Sequence, residues 1–110
     1  MQLVKSEIST NTLNINVIGD LDAKGCRDIQ PSIDELISSD THQEIEVDLH
    51  QVRFMDSSGI GAIVYLYKRL VEQQRTMRLE NVEGQPLKII TLLRIGQAIP
   101  VNIASSNEYL

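Results

Sequence analysis

Tryptophan is absent from this chain, and phenylalanine occurs once, as Phe54. The other aromatics are Tyr65, Tyr67 and Tyr109, so the interior must be built from Ile, Leu and Val rather than from packed rings. Cys26 is the only cysteine, which excludes an intrachain disulfide. Its place in a helical spacing reads as a small core residue rather than a reactive thiol. No apolar run approaches the about 18 residues of a membrane span, and the N-terminus lacks the basic-then-apolar order of a secretory signal. The cytoplasm is therefore the expected compartment, with no membrane partner. Basic blocks are missing too. Lys68-Arg69 is the only adjacent basic pair and the formal net charge is −5, so nucleic acid, which demands clustered Lys and Arg, is not an expected partner. An acidic chain suits a soluble partner with a basic surface. His42 and His50 are the only histidines. They read as surface loop residues flanking a strand, and with the scattered acids they make no metal-ligand spacing. No Gly-x-x-x-x-Gly-Lys phosphate loop occurs, and no cofactor is expected.

What is present fits a folded chain. Of 110 residues, 42% are apolar, enough for one modest core in a single domain spanning 1–110. Leu3 to Ile8 reads as an edge strand, followed by a turn around Asn11. Leu13, Ile15 and Val17 alternate with Asn14 and Asn16, a second, half-buried strand and the other arm of an antiparallel hairpin. Cys26, Ile29, Ile33, Leu36 and Ile37 recur at helical spacing from about Ala23 to Ser39. Pro31 inside this pattern marks either a kink or a later start capped by Asp28. Ile45, Val47 and Leu49 alternate with acids, a third strand with one covered face and one wet face.

Ile60, Ile63, Val64, Tyr67, Leu70 and Val71 form a second helical stripe, ending near Gln74. Met77 to Val82 is a fourth strand. Pro86 opens a third helix with Leu87, Ile90, Leu92 and Leu93 as its apolar side and Gly96 as its cap. Ile99 to Ile103 is a final short strand weakened by Pro100, and Ser105 to Leu110 is a polar tail. The order ββαβαβαβ calls for an α/β fold: a mostly parallel sheet of about five strands with an opening hairpin and helices mainly on one face.

Between the third strand and the second helix stands Phe54-Met55-Asp56-Ser57-Ser58-Gly59-Ile60-Gly61. Hydroxyls at a helix start sit among unpaired N–H groups at the positive end of the peptide dipoles. Asp or Ser there is a common cap, and the glycines could simply let the helix pack closely. A nucleophile elbow would need Gly-x-Ser-x-Gly, whereas Met55 stands two before Ser57, and neither histidine makes a convincing base. A phospho-aspartate receiver would need a late-strand lysine, but the last lysine, Lys88, falls in a helix. The remaining reading is a regulated docking surface, with a phosphorylatable Ser57 and glycines that let another protein approach the backbone. Tyr65, off the main stripe, Lys68, Arg69, Arg27 and Asp28 read as solvated or half-exposed residues.

The run from Phe54 to Gly61 closely resembles the signature of the STAS domain in its stand-alone bacterial form, the anti-sigma-factor antagonists. Gly19-Asp20-Leu21-Asp22, at the end of the second strand, resembles a second and weaker family motif. The element order agrees from about Leu3 to Ile103. The resemblance implies a STAS-like fold and a non-enzymatic partner switch. The unphosphorylated form would bind an anti-sigma factor or related serine kinase. That partner would phosphorylate Ser57 and be released, and a PP2C-type phosphatase would restore the free serine. Ser58 is the second choice of acceptor. Asp56 would orient the loop or align Ser57, and Ser58, Gly59, Ile60 and Gly61 would form part of the docking surface, with Asp20, Leu21 and Asp22 on the same rim. The alternative reading is a phosphate-independent STAS adaptor subunit of a transport or signalling assembly. Pro31 and Pro100 match no family signature.

Overall fold

The structure is a computed structural model and describes residues 1–103. Its elements are strands β1 (Gln2–Glu7) and β2 (Thr12–Ile18), helix α1 (Ala23–Ser38), strand β3 (Glu44–Gln51), helix α2 (Ser57–Glu72), strand β4 (Thr76–Glu80) and helix α3 (Gly84–Leu92), then a 3-10 turn at Ile95–Gln97. One sheet runs in the order β1-β2-β3-β4. β1 is antiparallel to β2, and β2, β3 and β4 are mutually parallel. The expected α/β architecture with its opening hairpin is therefore present.

Alternation sets the two faces of the sheet. Leu13, Ile15, Val17, Ile45, Val47, Leu49, Met77 and Leu79 are all buried and meet Ile29, Ile33 and Leu36 of α1 and Ile60, Ile63, Leu66 and Leu70 of α2 in one aliphatic cluster. The opposite positions are polar. There Arg78 lies across Glu44, Glu46 (2.8 Å) and Glu80 (3.1 Å), which neutralises part of an acidic row. Glu46 nevertheless has its carboxyl pushed up, first by burial and then by repulsion from Glu80, against a hydrogen bond from Asn14. Between Asn16 and Ile18 the β2 register advances two residues while β3 advances three, a bulge at the end of β3 just before the central motif.

Several boundaries differ from expectation, each for a local reason. Ile99 to Ile103 is not a fifth strand. It contributes only a parallel bridge between Val101 and Leu79, because Pro100 has no N–H to donate and Asn102 takes a left-handed conformation (φ 55°). β4 stops at Glu80, since Asn81 also turns left-handed (φ 57°). α1 begins at Ala23 and holds Pro31 within it, exposed, so Asp28 is no cap; the cap is Asp22. α3 begins two residues before Pro86, Leu92 is 78% exposed, and Arg94 rather than Gly96 makes the left-handed turn after it. The apolar side of α3 is correspondingly narrow, with Pro86 and Ile90 buried. Cys26 is half-buried beside the core rather than within it. The polar tail from Ser105, with Tyr109, lies outside the described residues.

At the N-terminal ends of β3 and β4 a charged cluster ties the molecule together. Arg75, 6% exposed, donates to the carbonyls of His42 (2.7 Å) and Leu36 (3.0 Å), to Gln73 (2.9 Å) and to Asp40 (2.7 Å). The His42 ring joins Asp40 (2.8 Å) to Glu7 (2.6 Å), linking the hairpin to the loop after α1. His42 is thus a half-buried bridge, not a free loop residue, and its hydrogen bonds to Asp40 and then Glu7 raise its pKa against burial. Burial would raise Asp40, but the His42 hydrogen bonds and the Arg75 charge outweigh it and hold the carboxyl below its ordinary value.

The signs fix a pH window. His42 has a raised folded pKa, so its contribution is complete below its unfolded value of about 6.5 and fades as pH rises through the folded value. Asp40 has a lowered folded pKa, so its contribution is present above about 3.8 and fades as pH falls through the folded value. We predict that His42→Ala destabilises the protein more at about pH 6 than at about pH 9. Urea unfolding at the two pH values checks this, and equal losses at both would refute the assignment.

Candidate functional site

The central motif forms at the C-terminal ends of β2 and β3, where two loops run side by side. Leu21 and Met55 make a parallel bridge: the Leu21 N–H donates to the Phe54 carbonyl (2.9 Å), and the Asp56 N–H donates to the Leu21 carbonyl (3.3 Å). Each loop then enters a helix through an aspartate cap. The Asp22 carboxylate accepts from the Gly25 N–H (2.8 Å) at the start of α1. The Asp56 carboxylate accepts from Ser58 (2.8 Å) and Gly59 (3.4 Å) at the start of α2. The two starts share one local pattern, Asp-x-x-Gly, as Asp22-Ala-Lys-Gly25 and Asp56-Ser-Ser-Gly59.

The repeated glycine has a packing cause. A Cβ on Gly59 would come 2.5 Å from the Leu21 carbonyl oxygen and 2.8 Å from the Leu21 Cβ and Met55 Cγ. A Cβ on Gly25 would run into the Asp20 carbonyl oxygen. The segment Asp20-Leu21 is therefore pressed between the first turns of both helices. Gly61 differs: a Cβ there would meet nothing within 4 Å. The two motif glycines have separate roles, close packing at Gly59 and open surface at Gly61.

The expected site residues divide in the same way. Asp20, Ser57 and Gly61 are exposed, and Asp22, Asp56 and Ser58 are half-buried on the same rim. Leu21 (2% exposed) and Ile60 (8%) turn their side chains into the core, and Gly59 is buried as well. Leu21, expected on the rim, and Ile60, expected in the docking surface, therefore keep buried side chains at those places. The alternation that makes them apolar also aims them inward, and they set the loop positions from below. The rim instead gains Phe54, 43% exposed immediately before the bridge, which the sequence reading left unassigned. Tyr65 is 40% exposed and its hydroxyl accepts from Arg69 (3.1 Å) on the same helix, so these two form a surface pair. Asp28 lies near Lys24 (3.9 Å) and the N-terminal ammonium (3.7 Å).

One further positioning group carries no signal in the sequence. The Gln85 side-chain amide, at the start of α3, accepts from the Met55 N–H and donates to the Met55 carbonyl, both at 2.8 Å. It stands in for a neighbouring strand and fixes the motif from the third side. Cys26 sits near both caps. Its thiol pKa is raised by burial first and then by the charges of Asp56 and Asp22, which keeps the thiol protonated and poorly nucleophilic. The histidines are engaged elsewhere: the His50 ring is 2.8 Å from Asp48, and His42 belongs to the Arg75 cluster. Burial would raise Asp48, but hydrogen bonds from the His50 N–H, the His50 ring and Asn81 overcome this and lower it. Among the described residues, no group of three or more His, Cys, Asp or Glu could hold a metal ion, and no helix is long and apolar enough to cross a membrane.

Ser57 is the first residue of α2, and the polar groups around it are largely satisfied. The N–H of Asp56 goes to Leu21, and those of Ser58 and Gly59 go to the Asp56 carboxylate. The hydroxyl is left on the exposed side of the capped helix start. Such a group is reachable by a modifying enzyme without unfolding.

Comparison with known proteins places this geometry. The family model described as STAS domain matches residues 4–108. The chain is 24% identical over 98 residues to an anti-sigma F factor antagonist of Paenibacillus polymyxa, covering 89% of this chain and 84% of that one. It is 21% identical over 95 residues to the anti-sigma-B factor antagonist of Bacillus subtilis (strain 168), covering 86% and 85%. In fold it is similar to the phosphorylated form of the Bacillus cell fate determinant SpoIIAA, with a TM-score of 0.70 and 19% identity over 99% of this chain and 100% of that one.

The packing around the two glycines yields a paired prediction. Gly59→Ala should destabilise the protein by about 1–3 kcal/mol, because the obstructing atoms include backbone that cannot move aside. Gly61→Ala, in open space within a helix, should leave stability unchanged or raise it by up to about 1 kcal/mol. Thermal and urea denaturation of both variants check this, and similar effects from the two would contradict the assigned division.

Proposed function

The chain belongs to the STAS domain family, and on that premise we propose that it is a phosphorylation-controlled partner switch of the anti-sigma-factor-antagonist kind. The observation that carries this reading is the placement of Ser57: exposed, first in α2, and held on a platform built from both motif loops. The unphosphorylated protein binds an anti-sigma factor or related serine kinase over the rim formed by Asp20, Asp22, Phe54, Asp56, Ser57, Ser58 and Gly61. The relatives' names, as antagonists of anti-sigma factors, support that class of partner. The phosphorylated form of the structural neighbour supports control by phosphate. The kinase transfers the γ-phosphoryl group of ATP to the Ser57 oxygen, with loss of the hydroxyl proton, and a PP2C-type phosphatase later removes it by hydrolysis. In this reading the chain supplies an acceptor and a surface, and the chemistry belongs to its partners.

Phosphorylation adds nearly two negative charges and three acceptor oxygens. The dipole of α2 favours that charge, while the neighbouring Asp56 opposes it. The two effects have opposite signs and offset in part, so the fold should change little. A partner seated closely on the rim collides with the volume of the phosphate, and any acid it places there is repelled by the added charge. Ser58 is half-buried and its N–H is held by Asp56, which makes Ser57 the better acceptor.

The test pairs phosphate mapping with binding. Incubation with the cognate kinase should label wild type on Ser57 and leave Ser57→Ala unlabelled. Ser57→Asp should bind the partner about tenfold or more weakly, with its melting temperature within about 2 °C of wild type. Phosphate mapped elsewhere, together with full binding by Ser57→Asp, would sink the switch. The same rim would then serve the phosphate-independent adaptor reading.

A further inference from the structure

The two edges of the sheet are finished differently. Along β4 the Leu79 N–H donates to the Pro100 carbonyl (2.9 Å) and the Asn102 N–H donates to the Leu79 carbonyl (2.8 Å), so residues 100–102 cover that edge. β1 is the other terminal strand of the sheet, and among the described residues no strand pairs with its outer side. The Ile8 N–H donates to the Thr12 carbonyl (3.0 Å), which sets the alternation. Val4, Ser6 and Ile8 aim their backbone groups at β2, and Leu3, Lys5 and Glu7 aim theirs outward. Val4 (42% exposed) and Ile8 (57%) leave apolar side chains along this edge. An open strand edge of this kind is a template for another strand.

We propose that the occupant is β1 of a second copy of this chain, paired antiparallel with Ser6 facing Ser6 on the two-fold axis. Backbone geometry and charge select that register. Outward-pointing residues must pair with outward-pointing residues, so the axis passes through a residue rather than between two. With Lys5 on the axis, two ammonium groups would stand opposite each other. With Val4 on the axis, Glu7 and Ile8 would hang beyond the paired region. With Ser6 on the axis, Lys5 meets Glu7 twice on the helix side of the sheet, and Val4 meets Ile8 twice on the other side. Opposite charges and apolar pairs across strands both stabilise.

Within its own chain Lys5 already reaches Glu35 (3.1 Å), and Glu7 reaches His42 (2.6 Å). An ammonium has three donors and a carboxylate accepts at two oxygens, so the intermolecular pairs add to these contacts without displacing them. Ser6 lies opposite Asn14, toward the end of β2 away from Gly19. The axis is therefore distant from the motif loops, and Ser57 stays open on both copies.

Cysteine scanning tests the register directly, in a Cys26→Ser background. Ser6→Cys places two thiols across a non-hydrogen-bonded pair, where Cα atoms are about 4.5 Å apart and within disulfide reach. Val4→Cys places them four residues apart along the strand, about 14 Å, and beyond reach. Mild oxidation should therefore cross-link Ser6→Cys and not Val4→Cys. Sedimentation of wild type should show concentration-dependent dimerisation. Lys5→Glu should weaken it about tenfold, and Lys5→Glu with Glu7→Lys should restore it. Because Ser6→Cys is a small change at an exposed site, the cross-linking arm stands even if a charge variant fails to fold. A wild type that stays monomeric up to millimolar protein, equal cross-linking at positions 4 and 6, or a dimer formed through a different strand overturns the proposal.

Discussion

The close approach of the Asp20-Leu21 backbone to two helix starts is the constraint on which the rest of this structure depends. Gly25 and Gly59 are the residues against which that backbone is pressed, and neither position has room for a Cβ. The contact fixes where α1 and α2 begin relative to each other and to the ends of β2 and β3. Once it is made, the apolar stripes of both helices fall on the same face of the sheet, and the aliphatic cluster follows. The rim proposed as the docking surface is the outer surface of this same contact. Folding and the proposed function therefore draw on the same few residues, and the rim rests directly on the packed core.

Charge is used differently at the two ends of the sheet. At the N-terminal ends of β3 and β4, Arg75 is nearly buried and its donors go to Asp40, Gln73 and two backbone carbonyls. That cluster closes the loops where no helix start is available to do so. Leaving Asp40 without Arg75 would strand a carboxylate in a poorly solvated position, which costs more than the pair itself contributes. At the opposite end Asp22 and Asp56 spend oxygens on backbone N–H groups. They are acids of the proposed docking rim and caps of the helices at once, so their carboxylates are held in place by backbone donors.

The sequence carried the element order because strong periodicities survive without tertiary information. Ile15, Val17, Ile45 and Val47 alternate, while Ile60, Ile63 and Leu70 repeat at helical spacing, and each pattern has one physical explanation. The motif from Phe54 to Gly61 was legible as a site for the same reason, since its glycines and hydroxyls break both patterns. What was not legible depended on contacts between distant segments. Leu21 and Ile60 were grouped with the docking surface because they lie among rim residues in the chain, yet the pleat and the helix turn aim them inward. Gln85 carries no local signal, because an amide that replaces a strand partner looks like any other surface glutamine. The last stretch failed as a strand because Pro100 and the left-handed Asn102 limit it to a single bridge. The Asp-x-x-Gly repeat is the one missed feature that the chain did display.

The packing and capping of the helix start also bear on how the proposed switch at Ser57 would work. A phosphate can act by ordering a segment, by disordering one, or by changing what can dock. Ordering needs free donors, and three of those nearest, the N–H groups of Asp56, Ser58 and Gly59, are already taken by Leu21 and by the Asp56 carboxylate. Disordering would require the phosphate to pull Asp56 from its cap. That would forfeit about 1 kcal/mol of capping and still leave Gly59 wedged against Leu21, the Leu21–Met55 bridge intact and Gln85 holding Met55. The internal terms are small, and the packing that resists change is not. The route the proposed switch would use acts across the surface, where a doubly charged group on the rim would compete directly with a partner for the same space. A switch of this design needs no second conformation of its own chain, and its two states differ in what they exclude rather than in how they fold.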